Sequence, residues 1–151
     1  DQRGCLSPRL ALVLGDAGRG EAFAAELQEA LAALGARVPR GTLAPDEHAG
    51  AARWRDTVAF AGRLLSGADH AVAVLPSLLP DTIPPPGRHV LVVPVSPAGG
   101  AAAAMAPIAR HVVAVGSDDP DAAAPAHTRR SALGAMQHPP LDGPVDLRSS
   151  A

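Results

Sequence analysis

Six residues, Gly15-Asp16-Ala17-Gly18-Arg19-Gly20, follow the apolar run Leu10–Leu14 and precede a helical pattern. Glycines between a buried strand and a helix bare backbone N–H groups, and the first amides of a helix attract an anion. The turn is therefore a candidate cradle for a phosphate or carboxylate. Asp16 opposes that role unless its side chain points away. In open parallel sheets ligands collect beyond the carboxyl ends of the strands, and four loops are expected there: Gly15–Gly20, Pro76-Ser77, Ser96–Gly100 and Gly116–Asp119. The candidate ligand-binding residues are Gly15, Asp16, Gly18, Gly20, Ser77, Ser96, Gly99, Ser117 and Asp118, the glycines through backbone amides and the serines through hydroxyls. Asp118 or Asp119 would accept from a ribose or position a cation. The competing reading is a set of ordinary strand-to-helix turns with polar caps.

The opposite edge carries a second pattern. Asp69-His70, Arg88-His89 and Arg110-His111 each stand immediately before an expected strand. Neighbouring strands lie about 4.8 Å apart, so three imidazoles in a row would form a pH-sensitive rim or, at the extreme, a zinc site. A rim of His and Arg that merely caps the sheet is the simpler alternative, and no metal is assigned. Asp46-Glu47-His48 pairs carboxylates with an imidazole at a spacing that matches no metal motif and reads as solvated loop.

Composition narrows the chemistry. The 151 residues contain no lysine, asparagine or tyrosine, a bias expected of a GC-rich bacterial genome. Without lysine there is no Walker-type phosphate loop, no Schiff base and no pyridoxal phosphate attachment. A net charge of −2 and scarce aromatics (Phe23, Trp54, Phe60) argue against nucleic acid as a partner. The single cysteine, Cys5, cannot form an internal disulfide, and no apolar run reaches the ~18 residues of a membrane helix, so a soluble cytoplasmic protein without membrane contact is expected. Beginning at Asp1 with no signal-peptide character, the chain is expected to be a processed product or a piece of something longer.

The elements that must position these residues follow from periodicity. Phe23, Leu27, Ala30, Leu31 and Leu34 share a helical face that Gly35 should end, and Ala36-Arg37-Val38 opens a weak second strand. Pro45-Asp46-Glu47 is a helix entry, and the stretch Ala51–Leu65 that follows carries Trp54, Val58, Ala61 and Leu65 on one stripe. His70–Leu75 is a third strand. Pro76–Gly87, with five prolines in twelve residues, cannot be a helix and must cross over as an extended loop to a strand at His89–Val95. An alanine-rich helix, shortened or kinked at Pro107, ends near Arg110, followed by a fifth strand at His111–Val115 and a short helix within His127–Gln137. The expected fold is α/β, a three-layer sandwich with a mostly parallel sheet of about five strands, Rossmann-like or flavodoxin-like. A single domain is expected over 1–138, with a loosely ordered tail over 139–151. The premise beneath the glycine-turn site is that Ala11–Leu14 lies inside the sheet.

Three resemblances bear on function. The Gly-x-x-Gly-x-Gly turn, its helix and the Gly35-Ala36-Arg37-Val38 exit resemble the opening of a short-chain dehydrogenase, which implies NAD(P) as cofactor. That family works through a tyrosine and a lysine, which this chain lacks, so the resemblance implies binding without hydride transfer. Val13–Gly20 is similar to the first nucleotide-binding motif of methyltransferases, and Pro86–Pro94 to a later Pro-Gly-Gly strand, implying S-adenosylmethionine. The acid expected after the second strand is displaced there, with Thr42 near its place. Residues 10–95 resemble TIR signalling domains, through Gly35–Val38, Trp54 and Leu65–Pro76. The glutamate that TIR enzymes use would fall in the Pro-rich segment, whereas all four glutamates here (Glu21, Glu26, Glu29, Glu47) come earlier. The TIR resemblance thus implies an interaction module, with a protein partner or a second copy.

The leading expectation is a domain that binds a nucleotide or other anionic small molecule with little or no catalysis of its own. The alternatives are a TIR-like or flavodoxin-like interaction module and a non-catalytic scaffold lobe of a larger enzyme.

Overall fold

A computed structural model describes residues 1–98, 100–138 and 146–147. The main sheet is built from β1 (Leu10–Leu14), β2 (Arg63–Ser66), β3 (Ala71–Val74) and β4 (His89–Val95), in the order β1-β4-β3-β2. β1 and β3 both run parallel to β4, in registers that set Leu10 beside Leu91 and Val72 beside Val90, while β2 pairs antiparallel with β3. The fold is thus mixed α/β around a mostly parallel sheet of four strands. β5 (Ala114–Ser117) and β6 (Arg129–Ala132) pair parallel in a separate two-stranded sheet.

Three helices complete the described fold: α1 (Ala17–Arg37), α2 (Pro45–Ala61) and α3 (Gly100–Met105). Along each strand side chains alternate faces. Ala11, Val13, Leu65, Val72, Val74 and Val92 meet Ala24, Leu27 and Leu31 of α1. On the other face Ala71, Ala73, Leu91, Val93 and Val95 meet Trp54 and Val58 of α2, with Ala101 and Ala104 of α3 packed against them.

The structure revises the reading of α1. The helix runs through Gly35 to Arg37, so the strand expected at Ala36–Val38 does not form. Gly35 is not a stop but a point of close approach, since a Cβ there would lie 2.9 Å from Asp69 Oδ1. Without that strand nothing among the described residues pairs with the outer side of β1. Leu10–Leu14 is accordingly the margin of the sheet and not its interior, with Leu14 54% exposed. The buried stripe of α1 is Gly20, Ala24, Leu27 and Leu31 in place of the larger set expected; Phe23 and Leu34 are exposed. Small residues at positions 20 and 24 let the helix axis approach the sheet, and a Cβ on Gly20 would sit only 2.5 Å from Pro94 Cγ.

The helix begins at Pro45, as the Pro45-Asp46-Glu47 entry implies, and stops at Ala61, short of the expected Leu65. The Glu47 carboxylate accepts from the Ala44 amide at 2.8 Å and caps its first turn. At Gly62 the backbone runs against β3, since a Cβ would meet the Val74 carbonyl at 2.4 Å. Leu64 and Leu65 then serve opposite faces of the sheet, an arrangement open to a strand and closed to one helical stripe.

Pro76–Gly87 makes the β3 to β4 crossover with only a short 3-10 turn at Pro80–Thr82, pinned by the Trp54 indole N–H, which donates to the Thr82 carbonyl at 2.8 Å. α3 gives way at Pro107 to a 3-10 helix, Ala106–His111. The expected fifth strand begins later, at Ala114, outside the main sheet, and β6 occupies part of the segment expected to be helical. The expected tail lies outside the described residues apart from Asp146 and Leu147. Among the described residues no helix is long and apolar enough to cross a membrane.

Trp54 is 5% exposed and ties α2, the crossover and the sheet together. Trp54→Ala is expected to cost about 3–5 kcal/mol, measured as a lower denaturant midpoint by far-UV circular dichroism. A change under 1 kcal/mol would show that the α2 side is not the principal core.

Candidate functional site

Because β1, β3 and β4 are parallel, their carboxyl ends share one edge, where most of the expected ligand residues lie. The glycine turn there is closed. Gly15 adopts φ +142° and donates its N–H to the Val95 carbonyl at 3.0 Å, while the Arg19 side chain lies so close that a Cβ on Gly15 would meet it at 2.9 Å. The Asp16 carboxylate accepts from the Arg19 amide at 2.9 Å, the position that a bound phosphate would compete for. Gly18 packs beside Asp16, and Gly20 lies under Pro94. These four residues build the entrance to α1 and its contact with the sheet.

Ser77 and Ser96 do come together, across a cleft of about 440 Å³ whose other walls include Leu78, Val93, Gly100 and Ala104. None of Gly15, Asp16, Gly18 or Gly20 lines it. Gly99 lies outside the described residues. Ser117 and Asp118 follow β5 and do not line it either; the Ser117 hydroxyl accepts from the Asp119 amide at 3.0 Å.

The amino ends of β3 and β4 hold the more polar arrangement. The Ala71 N–H donates to the Arg88 carbonyl at 3.0 Å, which sets His70 and Arg88 side by side at the strand entrances. Arg88 is 7% exposed, and each nitrogen of its guanidinium is engaged: Nη1 donates to Asp69 Oδ2 at 2.8 Å, Nε to Asp1 Oδ1 at 3.0 Å and Nη2 to the Val38 carbonyl at 2.8 Å. The other Asp69 oxygen faces His70 Nδ1 at 3.0 Å. That hydrogen bond, helped by the charge of Arg88, holds the Asp69 carboxyl below the usual range despite some desolvation. Gln2 brackets the first residue of β4: its Oε1 accepts from the His89 amide at 2.8 Å and its Nε2 donates to the His89 carbonyl at 2.9 Å.

Next to this network lies a cleft of about 640 Å³ between the end of α1, the 39–43 segment and the 67–70 turn. Its polar walls are Gln28, Arg40, Thr42, His48, Asp69 and His70. Arg40 Nη1 donates to the Asp69 and Gly87 carbonyls at 3.0 and 3.2 Å, and Arg40 makes no ion pair among the described residues. Gln28 Oε1 and His70 Nε2, atoms of two lining residues, are buried without a hydrogen-bond partner among the described residues, as are Arg55 Nε, His89 Nε2, Thr128 Oγ1 and Ser131 Oγ elsewhere. An unpaired buried polar atom costs about 1–3 kcal/mol.

Of the imidazoles flagged in sequence, His70 and His89 do stand at neighbouring strand entrances, but His111 sits in the 3-10 helix bonded to Arg110 Nε. The three do not converge, and no group of three or more His, Cys, Asp or Glu suited to a metal occurs among the described residues. His89 packs edge-on to Trp54 at 5.3 Å on the α2 side, its Nδ1 3.1 Å from the Pro86 carbonyl. Sequence reasoning missed Gln28 and Arg40. The available signal for Gln28 was a neutral polar residue beside Leu27 and within a turn of Leu31 and Ala24.

Burial pushes His89 down to about 4 from its ordinary 6.5. Unfolding therefore takes up a proton that the folded protein excludes, and stability, complete above pH 6.5, drains as pH falls toward 4, by up to about 1.4 kcal/mol per pH unit. Denaturant midpoints from pH 8 to 4 should show this decline, and His89→Leu should flatten it; an unchanged slope in the variant would assign the acid sensitivity elsewhere. No protein-family model, no curated protein and no solved structure matches this chain, so the site stands on its own geometry.

Proposed function

We propose that the chain is a Rossmann-like or flavodoxin-like three-layer domain that binds a small anionic molecule, nucleotides among the candidates, with little or no catalysis of its own. One observation carries this reading: the amino-edge cleft of about 640 Å³ is lined by Arg40, which makes no direct ion pair among the described residues, its charge being felt by the nearby Asp69 carboxylate. Arg88 is matched by Asp69 and Asp1, whereas Arg40 uses only Nη1, on two carbonyls, leaving Nε and Nη2 for a ligand. The volume is within the ~300–1,000 Å³ of ordinary small-molecule sites. This reading moves the anion from the glycine turn, where Asp16 already occupies the helix cap, to the other end of the sheet.

The interaction-module reading has one observation in its favour. Phe60 is 96% exposed near the end of α2, which leads into β2, and the outer side of β2 is unpaired among the described residues. Sizing chromatography with light scattering discriminates, because a strict monomer at high concentration speaks against self-docking there.

Calorimetric titration with ATP, NAD(P) and S-adenosylmethionine is expected to give saturable heat with at least one of them, and Arg40→Gln to weaken that binding tenfold or more. No heat and no thermal shift with any of the three would remove nucleotides from the reading, and equal binding by Arg40→Gln would move the site away from this cleft.

A further inference from the structure

Residues 39–43, which carry Arg40 between α1 and α2, make no backbone–backbone hydrogen bond among the described residues. Side chains must therefore set where Arg40 stands. Leu43, 5% exposed, fixes the far end by burial. The remainder is held largely by the first nine residues of the chain. Asp1 Oδ2 accepts from the Gly41 amide at 3.0 Å, and Arg3 Nη2 donates to the Thr42 carbonyl at 3.3 Å and to the Glu47 carboxylate at 2.8 Å. Asp1 Oδ1 accepts from Arg88 Nε, and Arg88 Nη2 in turn holds the Val38 carbonyl. The Asp1 carbonyl accepts from the Gly87 N–H at 3.0 Å, and the Gly87 carbonyl accepts from Arg40 itself. Only the bond from Arg40 to the Asp69 carbonyl bypasses this set.

The nine residues are themselves lightly held. None of them is buried, and none lies in a helix or strand. They are tied down at two places on β4: Gln2 brackets the His89 backbone, while Arg9 donates to the Gln2 carbonyl at 3.1 Å and its own carbonyl accepts from the Leu91 N–H at 2.9 Å. A segment without buried apolar side chains opens at a lower free energy than the core it covers. We infer that residues 1–9 are a strap whose docking is coupled to occupancy of the amino-edge cleft: docked, it holds Arg40 in place for an anion, and a bound anion holds it docked. This rests on the anion-binding reading above and adds its regulation. A ligand that uses the placed Arg40 binds the docked state better, and such a coupling acts equally in both directions.

The test follows the strap and the cleft separately. The chain has no lysine, so trypsin cuts only after arginine, and native-state cleavage after Arg40 reports release of the cleft wall while cleavage after Arg63, inside β2, reports global unfolding. Asp1→Ala is expected to speed the first at least tenfold and the second far less. Arg3→Gln, which loses only exposed contacts, should speed the first about threefold and decides the matter if Asp1→Ala does not fold. Unchanged cleavage after Arg40 in the folded variants would overturn the strap's hold on Arg40. A spin label on Cys5, the chain's single, exposed cysteine, then reports docking in the otherwise unaltered protein. Titrated with ATP, NADP and inorganic phosphate, the label is expected to lose mobility with the same midpoint as the binding heat, and the variants to bind at least fivefold more weakly. Heat without any change in label mobility would overturn the coupling and leave anion binding intact. No heat with any of the three would overturn the coupling together with the anion-binding reading, whereas the cleavage rates would still judge the hold on Arg40.

Discussion

The guanidinium of Arg88 is the constraint on which the amino end of the sheet depends. It is nearly buried, and it sits at φ +65°, a left-handed backbone that side chains other than glycine rarely adopt. A buried charge is tolerated only when it is paired and hydrogen-bonded, and removing one partner of such a pair typically costs about 3–5 kcal/mol. Here the partners come from three separate places: the N-terminal residue Asp1, the exit of α1 at Val38 and the β2–β3 turn at Asp69. Satisfying one side chain therefore fixes three segments that have no sequence proximity. Asp69 in turn orients His70, so the geometry of the cleft wall descends from the same interaction.

The two edges of the sheet differ because their polar groups are satisfied differently. At the carboxyl edge the backbone of the glycine turn is consumed by structure: Gly15 bonds to β4, Asp16 caps α1, and Gly20 admits Pro94. Side chains there leave a cleft walled largely by Leu, Val and Ala, and none of its residues has a buried unpaired polar atom. At the amino edge Gln28, His70 and His89 each retain one. The side with unsatisfied chemistry is thus opposite the one that the general rule for parallel sheets selects.

The strands of the parallel core were legible because burial on both faces demands an unbroken apolar run, as in Ala71–Val74 and His89–Val95. The prolines of Pro76–Gly87 likewise announced a crossover without a long helix, and that is how β3 and β4 become parallel neighbours. β2 was hidden because Leu64 and Leu65 continue the apolar spacing of α2 and only tertiary contact with Val74 at Gly62 ends the helix. The position of β1 was not legible at all. A short apolar strand reads the same at a margin as in an interior, and the order depended on whether Ala36–Val38 would pair, which Asp69 settled by packing against Gly35.

The candidate site was half legible for the same reason. An imidazole immediately before a buried strand has a place dictated by the strand, so His70 and His89 could be put at one edge from sequence. Gln28 reaches the cleft from the middle of α1 and Arg40 from the segment after it, and the place of Arg40 depends on the length of α1. Had the helix stopped at Gly35, as its local signals suggested, Val38 would not stand where its carbonyl accepts from Arg88, and Arg40 would not reach the Asp69 and Gly87 carbonyls. The continuation of α1 past Gly35, which sequence propensity did not anticipate, is what carries Arg40 to the Asp69 and Gly87 carbonyls at the amino edge.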